Sequence, residues 1–271
     1  IVEKGGCFGC HQIDGFENTP KPGPGLRKIA AKTTKDFAYK WIYDPRGFRE
    51  NTWMPHFFKQ VNSQDLESVK RTDQEIHAIV SYLFDRSEAF KMEKMQNKGN
   101  ADNGRMLVNS VGCLGCHATE GEEQVALKSV NSMRREHGPN LINLGSKTTQ
   151  KWIYNWIRDP QGYHSGTKMP NLRLSKQEAS DISAFLIGQR DKGFEKNPRP
   201  EVDENGLNLI ASDLLSSILR KDEVKARLGT MSLDQKLNYV GGKLIRHYGC
   251  FSCHDIDGFE DAKPIGTPLS T

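Results

Sequence analysis

The sequence predicts an all-α protein built from a repeated small helical domain, and three observations carry that expectation. Landmarks recur at fixed spacing along the 271 residues, the segments between them carry apolar residues three and four apart behind capping signals, and Gly and Pro punctuate their ends. The first copy runs Cys7-Phe8-Gly9-Cys10-His11, Gly23-Pro24-Gly25-Leu26, Asp44-Pro45, Trp53-Met54-Pro55. The second runs Cys113-Leu114-Gly115-Cys116-His117, Gly138-Pro139-Asn140-Leu141, Asp159-Pro160, Lys168-Met169-Pro170. Pro24 and Pro45 stand 21 residues apart, as do Pro139 and Pro160, and each second proline stands 9 residues before its Met.

The cysteines carry the chemistry. All six fall in three C-x-x-C-H runs, the third being Cys250-Phe251-Ser252-Cys253-His254. Such a run is the attachment signature of a c-type haem: two thiols bond the porphyrin edge and the adjoining imidazole reaches the iron. Three copies imply three covalently attached haem c groups. A shared zinc would leave one pair without a partner and would not explain the His after every second Cys. Three disulfides or a thioredoxin-like redox motif would not require that His either.

Taken in order, Thr33 to Tyr43 reads as a short helix with Thr near its cap, and Phe37 and Trp41 share one face. Trp152 and Trp156 repeat that pair, read as core packing in preference to an electronic role. Pro45 and Pro160 are expected to stop these helices. Thr72-Asp73-Gln74-Glu75 reads as a capping box opening a helix that buries Ile76, Ile79, Val80, Leu83 and Phe84. Ser175-Lys176-Gln177-Glu178 does the same for Ile182, Phe185 and Leu186. The first copy carries a longer loop around residues 57–71, and the second a longer segment after His117, where residues 120–123 and 134–136 read as solvated.

A further helix precedes the later haem motifs, with Gly104, Leu107 and Val108 matching Gly241, Leu244 and Ile245; each Gly lies 9 residues before its Cys. Six residues precede Cys7, so the first copy is expected to lack that helix. Residues 255–271 leave room for a Gly266-Thr267-Pro268-Leu269 variant of the Gly-Pro landmark, its Pro displaced by one, and the third copy stops before its Met. The expected organisation is a first domain over 1–97, a second over 98–190, a linker with an amphipathic helix over 191–232, and the opening half of a third over 233–271. That helix runs through Leu207, Ile210, Leu214 and Ile218 and is expected to pack on a haem domain. The chain reads as a window onto a longer exported polypeptide, with completion by a neighbouring subunit the less favoured alternative.

Composition agrees. Basic residues number 38 against 34 acidic, and haem propionates would offset the formal +4, which leaves nucleic-acid binding without support. At 36% hydrophobic content the chain is lean for several small cores, and buried porphyrin would supply the missing apolar surface. No run of about 18 apolar residues is present.

The order helix, C-x-x-C-H, Gly-Pro-x-Leu, short helix ending in Asp-Pro, Met-Pro, closing helix resembles class I cytochrome c. The resemblance implies tandem all-α domains around covalent haem. It implies His11, His117 and His254 as proximal iron ligands and Met54 and Met169 as distal ones. It also implies that Pro24 and Pro139 offer carbonyls to the far nitrogens of His11 and His117, and it leaves the third haem without a distal ligand in this chain. Met92, Met95, Met106, Met133 and Met231 read as packing residues, and His56, His77, His137, His164 and His247 as ordinary histidines. Electron transfer between redox proteins is therefore expected, linking a membrane quinol-oxidising complex or a dehydrogenase to an acceptor on the periplasmic or outer face of the membrane. The competing expectation, a peroxidase-like enzyme or sensor, requires an open third haem.

Overall fold

The computed structural model describes residues 2, 6–50, 52–119 and 138–269. Residues 120–123 and 134–136, together with Met133 and His137, lie outside them. All regular structure among the described residues is helical. The chain divides into two compact units, one of Ile1–Ala30, Lys35–Glu88 and Pro198–Thr271, the other of Ala31–Thr34 and Ala89–Asn197.

The second unit is the complete repeat. Its leading helix, Ala101–Ser110, opens at Asn100, whose side chain accepts from the backbone N–H groups of Asp102 and Asn103. Its closing helix, Lys176–Gly188, opens with the expected box: Ser175 accepts from the N–H of Glu178 and the Glu178 carboxylate accepts from the N–H of Ser175. The two helices cross at Gly104, where an added Cβ would sit 2.0 Å from the Asp181 carbonyl oxygen. Only glycine permits that approach. Val108, Ala179, Ile182 and Leu186 are buried around it, joined by Trp152, Ile153, Tyr154 and Ile157 of the short helix Gln150–Arg158.

Prolines 45 and 160 do more than stop a helix. The helices Lys35–Tyr43 and Gln150–Arg158 end beside Asp-Pro, and the Pro then opens a new turn, Pro45–Phe48 or Pro160–Tyr163. Asp44 and Asp159 cap it, accepting from the N–H groups of Gly47 and Gly162. Each turn ends on an aromatic that meets the helical pair edge-on. Phe48 lies 5.1 Å from Phe37 and 6.2 Å from Trp41, and Tyr163 lies 5.6 Å from Trp152 and 5.7 Å from Trp156.

In the first unit the closing helix spans Leu66–Asp85 and begins six residues before the expected box. Asp65 caps it by accepting from the Ser68 N–H, which leaves Thr72 inside the helix. Glu75 is buried instead, accepting from Arg71 Nε at 3.0 Å and from the Tyr248 hydroxyl at 2.6 Å. The helix Leu233–His247 packs across it, and a Cβ on Gly241 would sit 2.1 Å from the Ala78 carbonyl oxygen. Residues 233–271, expected to begin a separate domain, thus belong to the same compact unit as residues 35–88. The physical reason is that Leu237, Val240, Leu244 and Ile245 form an apolar face, and the helix Leu66–Asp85 supplies the surface that buries it.

The linker is partly helical. Lys192–Lys196 forms one short segment, Glu204–Ser216 is the expected amphipathic helix, and Lys221–Thr230 follows it. Leu207, Ile210, Ala211 and Leu215 are buried against Leu66–Asp85 and Leu233–His247, as expected of a helix docked on its own chain. Ile218 lies beyond the helix end and is exposed.

Candidate functional site

Each C-x-x-C-H run forms one helical turn. The His N–H closes on the carbonyl of the first Cys at 2.9 Å for His11 and His117 and 3.0 Å for His254. Gly6, Gly112 and Gly249 precede these turns at φ 65, 94 and 68, a left-handed conformation that suits glycine. Cysteines three apart on such a turn share one face.

A second strand of chain locks each turn in the same register. Gly138 N–H donates to the Cys116 carbonyl, Leu141 N–H to Ala118, and Pro139 O lies 2.7 Å from His117 Nδ1. A carbonyl only accepts, so Nδ1 carries the proton and Nε2 keeps a free lone pair. A Cβ on Gly138 would lie 2.6 Å from the His117 ring, so the glycine allows the strand to lie flat against the imidazole.

The expected pairing of Pro24 with His11 is not what the structure shows. Pro24 O lies 2.8 Å from His254 Nδ1, with Gly23 N–H on the Cys253 carbonyl and Leu26 N–H on Asp255. His11 Nδ1 lies 2.8 Å from Thr267 O, with Gly266 N–H on Cys10 and Leu269 N–H on Gln12. Thr267, and not the displaced Pro268, therefore stands where Pro139 stands in the second unit. A backbone carbonyl is what the imidazole needs, and any residue supplies one.

The methionines share a setting too. Trp156 Nε1 donates to Met169 Sδ at 2.9 Å and Trp41 Nε1 to Met54 Sδ at 2.8 Å. Thr167 and Thr52 hydroxyls accept from the N–H groups of Met169 and Met54, both at 3.2 Å. The aromatic pairs pack as expected, Phe37 on Trp41 and Trp152 on Trp156, and the tryptophan and threonine contacts to the methionines come in addition. The signal was available: a Trp stands 13 residues, and a Thr 2, before each Met-Pro. An N–H donor draws electron density from a thioether and weakens its donation to a ferric ion. With Met169 as an iron ligand, as the resemblance implies, Trp156→Phe is expected to lower the reduction potential of that centre by about 20–60 mV, the one-electron equivalent of roughly 0.5–1.5 kcal/mol. A spectroelectrochemical titration checks this.

The donor sets fit haem better than the alternatives. None of the six cysteines is paired in a disulfide. Among the described residues, no group of three or more His, Cys, Asp or Glu is gathered where it could hold a metal ion. Burial pushes the Cys250 thiol up to about 12 and the Cys253 thiol, beside Cys10, up to about 11. Burial also lowers the pKa of His254 against the opposing pull of Pro24 O, which favours the neutral imidazole that binds iron. Trp152 Nε1 is buried without an acceptor among the described residues. The other histidines have different roles: His77 is buried against Tyr39, His247 lies edge-on to Tyr248, and His56 faces Asp44. Met92 and Met95 pack on the second core, and Met106 is exposed.

No helix among the described residues is long and apolar enough to cross a membrane. No curated protein and no solved structure matches the chain. The model of the family described as Cytochrome c matches residues 1–86 and 101–188, more than half of the sequence, and these segments carry two of the C-x-x-C-H turns and both Met-Pro landmarks. On that match, and on a frame the two units repeat bond for bond, the chain belongs to the cytochrome c family.

Proposed function

We propose that the chain is a multihaem relay holding three haem c groups through Cys7 and Cys10, Cys113 and Cys116, and Cys250 and Cys253. Membership of the family implies haem-based electron transfer. When bound, haem supplies a one-electron ferric/ferrous couple. His11, His117 and His254 are the proximal ligands in this reading, and Met54 and Met169 the distal ones. Nε2 of each imidazole is held ready because Nδ1 is committed to a carbonyl. A thioether opposite an imidazole favours ferrous iron relative to two imidazoles.

The observation that carries the reading is the repetition of the His-to-carbonyl and Trp-to-sulfur contacts in both units. Iron held by an imidazole on one side and a thioether on the other suits an electron carrier, and these contacts fix a candidate His and a candidate Met in each unit, with each imidazole Nε2 and one sulfur lone pair left over. The partners are a membrane-bound quinol-oxidising complex or dehydrogenase on one side and an acceptor on the other, at the periplasmic or outer face of the membrane. Intact mass of the loaded chain tests the count. The expected result is three haem increments, reduced to two by Cys113→Ala/Cys116→Ala; a wild-type chain that takes up no haem contradicts the reading.

A further inference from the structure

We propose that Met54 is paired with His254 and not with His11, so that the haem on Cys250 and Cys253 is closed by the methionine of the first repeat. This rests on His–Met ligation as proposed above and names which copies combine.

The second unit supplies the standard of comparison, because its leading helix, haem motif, Gly-Pro strand, Met and closing helix follow one another in sequence. In that unit Gly104 meets Asp181 and the Phe185 side chain. In the first unit Gly241 meets Ala78 and the Tyr82 side chain. Gly104 and Gly241 both stand 9 residues before their Cys, Asp181 and Ala78 both stand 6 after Ser175 and Thr72, and Phe185 and Tyr82 both stand 10 after them. The crossing is thus the same, residue for residue, although here the closing helix, Leu66–Asp85, comes long before the leading helix, Leu233–His247, in the sequence.

The strand contacts agree. Gly23, Pro24 and Leu26 bond to Cys253, His254 and Asp255 as Gly138, Pro139 and Leu141 bond to Cys116, His117 and Ala118. Trp41 and Met54 then complete the frame as Trp156 and Met169 do. Leading helix, haem turn, strand and methionine form one set only when His254 is the imidazole.

Charge explains why this copy is chosen over its near-duplicate. His11-Gln12-Ile13-Asp14-Gly15-Phe16-Glu17 and His254-Asp255-Ile256-Asp257-Gly258-Phe259-Glu260 differ in charge only at their second position. Arg27 follows Leu26 directly, and its Nε donates to Asp255 Oδ2 at 2.9 Å, with Asp257 and Glu260 also in ion-pair range. Gln12 in the same place would offer a neutral side chain. Lys21 adds a further tie, donating to the Phe251 carbonyl at 2.7 Å. Surface ion pairs are individually weak, but several on one guanidinium suffice to choose between otherwise equal copies.

The test uses the haem-loaded chain in two arms. In the first, the sulfur-to-iron charge-transfer band is measured after Cys250→Ala/Cys253→Ala and after Cys7→Ala/Cys10→Ala, each with and without Met54→Ala. The proposal requires the former pair to remove about half of the band and to make Met54→Ala silent. The latter pair must leave the band, with Met54→Ala then halving it. The opposite pattern overturns the proposal. Absence of the band from the wild-type chain contradicts methionine ligation itself, which is a separate failure. The second arm does not depend on haem-motif variants folding. Asn238 Nδ2 lies 2.7 Å from Asp85 Oδ2, so Asn238→Lys should form a zero-length carbodiimide cross-link between positions 238 and 85. Mixing isotope-labelled and unlabelled chains must give only unmixed cross-linked peptides; no cross-link, or mixed ones, overturns the closure within one chain.

Discussion

Replacing Met169 by alanine is expected to abolish the sulfur-to-iron band of one centre and to lower its reduction potential, leaving the other centres unchanged. Met169 is held from two sides, by the Trp156 indole on its sulfur and the Thr167 hydroxyl on its N–H. The sulfur therefore has a fixed position, and truncation to alanine leaves nothing that reaches the same place. Loss of an axial thioether removes the ligand that favours ferrous iron, which sets the sign of the potential shift. Fold stability should change less than the potential. Met169 is only partly buried at the edge of the core that Tyr154, Ile153 and Ile182 fill, so its loss leaves a small cavity worth roughly 1–2 kcal/mol. Band intensity, redox titration and urea unfolding of the same sample separate these effects. An unchanged band would remove Met169 from the ligand set.

Gly104→Ala is expected to destabilise the second unit although it raises helix propensity. Helix propensity alone favours alanine by about 1 kcal/mol. Sterics oppose it more strongly, since the new Cβ would stand 2.0 Å from the Asp181 carbonyl oxygen and 2.9 Å from the Phe185 side chain. Both the oxygen and its carbonyl carbon are backbone atoms within the closing helix, so the helices must separate. Overpacking of this kind costs about 1–3 kcal/mol and here falls at the upper end, because separation also loosens Val108 and Ile182. A net loss of roughly 1–2 kcal/mol is therefore expected by chemical denaturation. Gly188→Ala is the control in the same helix pair, because its Cβ would meet nothing within 4 Å. Equal stability of the two variants would contradict the crossing described here.

Much of the frame was legible in the sequence because it is local. The cysteine turns, the Ser175 box and the shared face of Trp152 and Trp156 depend on residues within one or two helical turns of each other, where spacing determines geometry. The start of the helix Leu66–Asp85 was misjudged for a competitive reason. Thr72-Asp73-Gln74-Glu75 has capping-box composition, but Asp65 caps first, and Tyr248, distant in sequence, engages Glu75. The role of Asp44 and Asp159 was missed because Asp-Pro can end one helix and open the next, and only the aromatic contacts of Phe48 and Tyr163 show what the second turn is for.

The choice of partner for Pro24 lay beyond sequence reasoning altogether. The repeat specifies that a Gly-Pro strand meets a C-x-x-C-H turn, but two nearly identical turns satisfy that rule. The one difference in charge between them is Asp255 in place of Gln12, facing an arginine far away in the chain. Register reports what kind of contact forms, and tertiary electrostatics selects which copy makes it.

The account as a whole rests on sulfur reaching iron opposite an imidazole in both units. Iron K-edge X-ray absorption of the fully loaded, oxidised chain measures this directly. The expected spectrum requires a sulfur shell at thioether distance in addition to the nitrogen shell of the porphyrin and imidazole, with an amplitude corresponding to two of three irons. That shell should shrink by half in Met169→Ala and vanish in Met54→Ala/Met169→Ala. A nitrogen-only first shell in the wild-type chain would contradict the account.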